Sequence, residues 1–163
     1  MTREEFKQTF DNHFESVRNY VYYRSGDKEL ANDVAQDTFM RFWEKMQDHA
    51  DGHENVKGLL FKIAGDIFIS DYRKKKAAMK YPAKTDREEF SHSPEEQLTY
   101  KEMVITYENA LADLPEKQRI VFLLNRMDGL KYHEIATNLG LSVKAVEKRM
   151  KNALAFLRNA IGN

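Results

Sequence analysis

The sequence predicts an all-α protein made of two small helical domains joined by a flexible linker, the second containing a helix-turn-helix. Three observations predict it. Apolar residues recur three and four apart almost throughout, with no alternating strand pattern. The period disappears over residues 77–93, where Pro82 also interrupts the chain. Order then resumes at Ser93-Pro94-Glu95-Glu96, which supplies a capping serine, a proline for the first helical position and a glutamate for the third. The expected domains are therefore 1–76 and 94–163, with 77–93 as the linker.

Each element follows from local chemistry. Thr2 and Glu5 form a capping box for a first helix carrying Phe6, Phe10, Phe14, Val17 and Val21. Ser25-Gly26-Asp27 breaks that helix, and Asp27 caps a second with Leu30, Ala31, Val34, Ala35, Phe39, Phe42, Trp43 and Met46 on its apolar side. Phe6, Phe10, Phe14 and Trp43 read as core. A polar stretch from Asp48 to Asn55 precedes a third helix, from about Val56, which runs into Arg73-Lys74-Lys75-Lys76. In the second domain Leu98, Met103, Val104, Tyr107 and Leu111 share one helix face. Leu114-Pro115 closes that helix and opens another with Ile120, Val121, Leu123 and Leu124, which stops at Asp128-Gly129. Two short helices are expected after it, Lys131–Leu139 and Ser142–Leu157.

Composition narrows the function classes. The 163 residues include no cysteine, which excludes disulfides, Cys-based zinc sites and a thiol nucleophile. No apolar run approaches the roughly 20 residues that span a bilayer, and the polar N-terminus is unlike a signal peptide. A soluble, cytoplasmic protein without membrane insertion is expected. His13, His49, His53, His92 and His133 are scattered without ligand spacing, so no metal is expected. Neither a phosphate-cradling glycine loop nor a nucleophile motif occurs, so no cofactor and no catalytic residue are expected. Net charge is zero, yet residues 129–163 carry six Lys or Arg against two Asp or Glu. A basic module on a neutral-to-acidic body suits a DNA contact at one end and protein contacts elsewhere.

The stretch from Tyr132 to Met150 has the internal logic of a helix-turn-helix. Ile135 and Leu139 face inward, Ala136 is small enough for a close helix crossing, Gly140 supplies the turn, Leu141 plugs the core and Ser142 caps the second helix. Val146, Met150, Ala153, Leu154 and Leu157 anchor that helix from beneath. Its other face shows Lys144, Glu147, Lys148, Arg149, Lys151 and Asn152, whose long side chains suit base edges and phosphates in a major groove. Lys148 and Arg149 are the candidates for base edges, with Lys144 and Lys151 assigned to phosphates. An ordinary amphipathic helix pair with a solvated basic face is the alternative.

With both halves laid out, the chain resembles the extracytoplasmic-function branch of the sigma-70 family of RNA polymerase sigma factors. Ala110-Leu-Ala-Asp-Leu-Pro-Glu-Lys-Gln-Arg119-Ile-Val is similar to the start of the family's second conserved domain. Ala31-Asn-Asp-Val-Ala-Gln-Asp-Thr-Phe-Met-Arg-Phe-Trp43 resembles its polymerase-docking helix. Phe61-Lys-Ile-Ala-Gly-Asp66, leading to Asp71-Tyr-Arg-Lys-Lys, resembles its promoter-reading helix. Gly65 and Asp66 depart from the basic residue and asparagine usual there, and Glu147 replaces a commonly small or basic residue.

The resemblance implies that Asp33, Gln36, Asp37, Arg41 and Glu44 dock on a coiled coil of core RNA polymerase. It implies that His53, Glu54, Asn55, Lys57 and Lys62, with Arg73, Lys74, Lys75 and Lys76, hold the melted promoter strand. Asn55 could offer a donor and an acceptor to a flipped base, or simply cap the third helix. Core polymerase, promoter DNA and an anti-sigma factor are the implied partners. A helical, ligand- or partner-responsive helix-turn-helix regulator without polymerase docking is the alternative function. The two domains are expected to move independently unless a partner fixes them.

Overall fold

A computed structural model describes residues 1–48, 55–75 and 93–162, with only the backbone for 71–75. Among these residues the order is α1 (Arg3–Ser25), α2 (Lys28–Asp48), α3 (Val56–Lys75), α4 (Pro94–Asp113), α5 (Glu116–Arg126), α6 (Tyr132–Leu139) and α7 (Val143–Gly162). The expected linker lies almost wholly outside the described residues.

Caps fall where the sequence places them. The Thr2 hydroxyl accepts from the Glu5 N–H at 3.2 Å, and the Glu5 carboxylate accepts from the Thr2 N–H at 2.7 Å. Ser93 and Glu96 repeat that reciprocal pair at α4. Asp27 accepts from the Leu30 N–H at 3.0 Å to start α2, and Gly26 ends α1 at φ 69°. Each cap satisfies backbone groups that a helix end otherwise leaves orphaned.

The first three helices close on Val17, Tyr20 and Val21 from α1, Val34, Ala35, Phe39 and Phe42 from α2, and Leu60, Phe61, Ala64 and Ile67 from α3, all buried. The last four close on Leu111, Leu114, Val121, Leu124, Ile135, Val146, Met150 and Leu157. The two sets form one continuous buried cluster, because α1 packs on α5 and α3 packs on α6. The expectation of independent domains thus meets a structure in which they touch. Arg119 through Leu124 are buried consecutively. A helix apolar on every side must be covered on every side, and α1 supplies part of that cover.

Three expectations change. Leu98 and Met103 are 61% and 53% exposed, so the apolar face of α4 is buried only in its second half. Phe6, Phe10 and Phe14 are half-buried, packed against the core rather than within it, and Trp43, also half-buried, meets the Phe6 ring. Helix α7 continues to Gly162, one turn beyond the expected Leu157, its last turn exposed.

Candidate functional site

The helix-turn-helix is built as its sequence requires. Gly140 adopts φ 66°, and its N–H donates to the Ala136 carbonyl to close α6. The Ser142 hydroxyl accepts from the Ala145 N–H at 3.1 Å, starting α7. Ile135, Ala136, Val146 and Met150 are buried between the two helices and the rest of the module. With that face fixed, Lys144, Glu147, Lys148, Lys151 and Asn152 are exposed together on the other. Arg149 is half-buried. Its helical angle brings it within one step of Ala153, at the margin of the basic face.

On α2, burial of Val34, Ala35, Thr38, Phe39 and Phe42 turns Asp33, Gln36, Asp37, Arg41 and Glu44 outward, and all five are exposed. Beside them Phe6, Phe10, Phe39 and Trp43 line a groove of about 390 Å³, completed by Arg3, Gln36 and Met40. Phe6 meets Trp43 edge-on at 4.9 Å between ring centres. Met40 is 62% exposed. The groove was not expected from sequence, since aromatic residues at helical spacing read as plain core. The signal was the solvent-side position of Met40, between two polar neighbours on the helix surface.

At the start of α3, Asn55 is exposed and its Oδ1 accepts from the Gly58 N–H at 2.8 Å. The side chain is a helix cap, its amide lying over the first turn of α3. A Cβ on Gly58 would fall 2.3 Å from the amide nitrogen, so glycine is what leaves room for the cap. Lys62 is exposed, whereas Lys57 is half-buried. Lys57 lies close enough to Asp128 to favour its carboxylate and close enough to His13 to disfavour its imidazolium. The promoter-strand candidates His53, Glu54 and Lys76 lie outside the described residues, as do the side chains of Arg73, Lys74 and Lys75. Among the described residues no group of His, Cys, Asp and Glu is arranged to hold a metal ion, and no helix is long and apolar enough to cross a membrane.

Comparison with known proteins decides the family. Residues 9–78 match the model of sigma-70 region 2, and residues 106–157 match that of sigma-70 region 4. The ECF RNA polymerase sigma factor SigM of Bacillus subtilis (strain 168) is 30% identical over 165 residues, covering 98% of this chain and 96% of that protein. The chain belongs to the ECF sigma factors. It is therefore an RNA polymerase sigma factor, a protein of transcription initiation. The ferric citrate uptake sigma factor FecI of Escherichia coli (strain K12) is 28% identical over 152 residues, covering 91% of this chain and 86% of FecI. Among solved structures, CnrH in complex with the cytosolic domain of CnrY is 25% identical with a TM-score of 0.66, covering 99% of this chain and 90% of CnrH. The sigma factor RpoE of Bartonella quintana, in complex with the anti-sigma factor NepR, has a TM-score of 0.69 at 21% identity, covering 98% of each chain, and shares the fold.

Proposed function

We propose that this sigma factor docks on core RNA polymerase through the exposed face of α2, holds the melted promoter strand with α3 and its preceding loop, and reads upstream duplex DNA with α7. The observation that carries the proposal is the α2 face. Five polar side chains, three of them acidic, stand together beside an apolar groove, inside the region 2 match. Such a surface suits a helical partner that inserts apolar side chains into the groove and basic ones along its rim. On α7, Lys148 sits centrally for a base edge, Lys144 and Lys151 for phosphates, and Arg149 at the margin.

The working units are residues 1–76 and 94–163, joined by 77–93. The chain acts in the cytoplasm, where polymerase and DNA are, and leaves the chemistry of RNA synthesis to the polymerase. The anti-sigma factor bound to RpoE supports an anti-sigma partner here as well. A regulator acting without polymerase docking is not favoured, because residues 9–78 match region 2.

Reversing Asp33 and Asp37 to Lys tests the docking face. The D33K/D37K variant is expected to lose co-purification with core polymerase while keeping its helical circular dichroism. Retained co-purification in the folded variant would sink the assignment.

A further inference from the structure

Helix α7 carries a single acidic residue, and it stands on the basic face. Glu147 is exposed beside exposed Lys144, Lys148 and Lys151. Among the described residues the ion pairs join Arg18 to Glu15 and Arg24 to Glu116, so none of the three lysines closes on Glu147. Its carboxylate is left to a donor from outside the chain.

Burial fixes where that carboxylate stands. Val146 and Met150 are buried beneath the helix, and each residue turns it by about 100°. Lys148 therefore points away from the core, and Glu147 leaves the helix about 100° to one side of it. Val143, four residues earlier in the same row, is 41% exposed although apolar. The Ser142 hydroxyl caps the helix immediately before Val143. Both residues thus lie in the first two turns, the end that meets base edges when a recognition helix enters a major groove.

The two side chains suit different bases. A carboxylate only accepts hydrogen bonds, and the donors in a major groove are the cytosine 4-amino and adenine 6-amino groups. Adenine sets its N7 acceptor beside the amino group, opposing the second carboxylate oxygen. The cytosine edge carries the amino group alone, so cytosine is the better partner. An apolar side chain such as Val143 matches the thymine methyl group. Val143 and Glu147 are about 6 Å apart along the helix axis, and base pairs follow one another about every 3.4 Å. Their contacts therefore fall within two base pairs.

We propose that the Val143–Glu147 row is the base-selecting edge of α7. Glu147 takes the 4-amino group of a cytosine, and Val143 packs on the methyl group of a thymine within two base pairs of it. Lys144 and Lys151, one turn to either side of Glu147, offset its repulsion from phosphates. The row rests on the reading of α7 as the duplex-binding helix and adds which bases that helix selects.

Core polymerase loaded with the full chain tests the row on a genomic fragment, its upstream duplex randomised over about ten base pairs, one turn of DNA. The wild-type holoenzyme should enrich a cytosine at one position and a thymine within two base pairs of it. In Glu147→Ala the cytosine preference should vanish while the thymine and the other selected bases remain. Glu147→Gln should exchange cytosine for adenine, because an amide sets a donor beside its acceptor and matches N6 and N7. Val143→Ser should relax the thymine alone. Replacing the selected cytosine by a pyrimidinone without the 4-amino group should weaken wild-type binding about fivefold to tenfold, the lower end for a direct base contact, and leave Glu147→Ala unchanged. All three variants alter exposed side chains, and circular dichroism checks that they fold.

A cytosine preference that survives Glu147→Ala, or defined bases without a cytosine among them, would overturn the assignment of Glu147. So would tighter binding of every sequence alike in Glu147→Ala, which would make the carboxylate a plain repellent of DNA. Thymine selection unaffected by Val143→Ser would remove Val143 from the row. A holoenzyme that selects no base anywhere in the randomised block would instead remove α7 as a duplex reader, and the row with it.

Discussion

Asp128, Lys57 and His13 come from separate parts of the chain and share one local field. Burial holds the Asp128 carboxyl above its ordinary range, while hydrogen bonds from Tyr23 and Asn19 and the charge of Lys57 pull it back and Glu15 adds to the rise. A raised carboxyl contributes stability below its ordinary value of 3.8, and that contribution is lost as pH rises through the shifted value. His13 has the opposite sign. Burial first, then Lys57, lowers it from 6.5, so its contribution is present above 6.5 and lost as pH falls through the lowered value. Urea titrations are expected to show a midpoint that drops as pH falls below 6.5, and His13→Gln should flatten that drop. An unchanged pH profile in His13→Gln would place the titration elsewhere. On α7, exposed Lys148 and Lys151 are assigned different tasks. Lys148→Ala is expected to cost about 1–3 kcal/mol and relax preference at one base pair, while Lys151→Ala weakens all duplexes alike. Salt-titrated binding to a promoter library separates them, and the reverse pattern would mean that the helix enters the groove in another orientation.

At the scale of elements, what was legible in the sequence was local. Thr2 with Glu5, Asp27, Ser93 with Pro94, Gly140 and Ser142 each act within one turn of the chain, and each sits where its chemistry predicts. Gly140 is the sharpest case. It holds φ 66° with nothing within 4 Å of where a Cβ would be, so only backbone conformation is at stake. Gly140→Ala should therefore destabilise the protein by about 1–2 kcal/mol, measured as a shift in denaturation midpoint. A shift near zero would mean that the turn can relax into another geometry. The groove on α1 and α2 was less legible, because Phe6, Phe10 and Trp43 have the spacing of core residues. Whether such a stripe is wholly or half covered depends on how much partner surface reaches it. The end of α7 was missed although Ile161 continues the spacing of Leu154 and Leu157, and that last turn is exposed rather than covered.

The whole molecule shows what sequence periodicity could not. Arg119 stands in a segment whose resemblance marked a domain start, yet its bonds reach back across 96 residues to the Tyr23 carbonyl. The run Ile120–Leu124 carried a hint of this, because five consecutive apolar residues cannot be buried by one side of a small bundle. Periodicity says that such a helix is covered, but not by what. The candidate site is likewise distributed. The α2 face, α3 and α7 each present polar groups on a different part of the surface, which suits a protein that bridges polymerase and DNA rather than one that encloses a substrate. The central claim is that this chain directs core polymerase to start at defined promoters. Run-off transcription with purified core polymerase on genomic fragments tests it most directly. Discrete transcripts that require the chain, and that vanish with D33K/D37K, are the predicted result. Transcripts no different from those of core polymerase alone would contradict it.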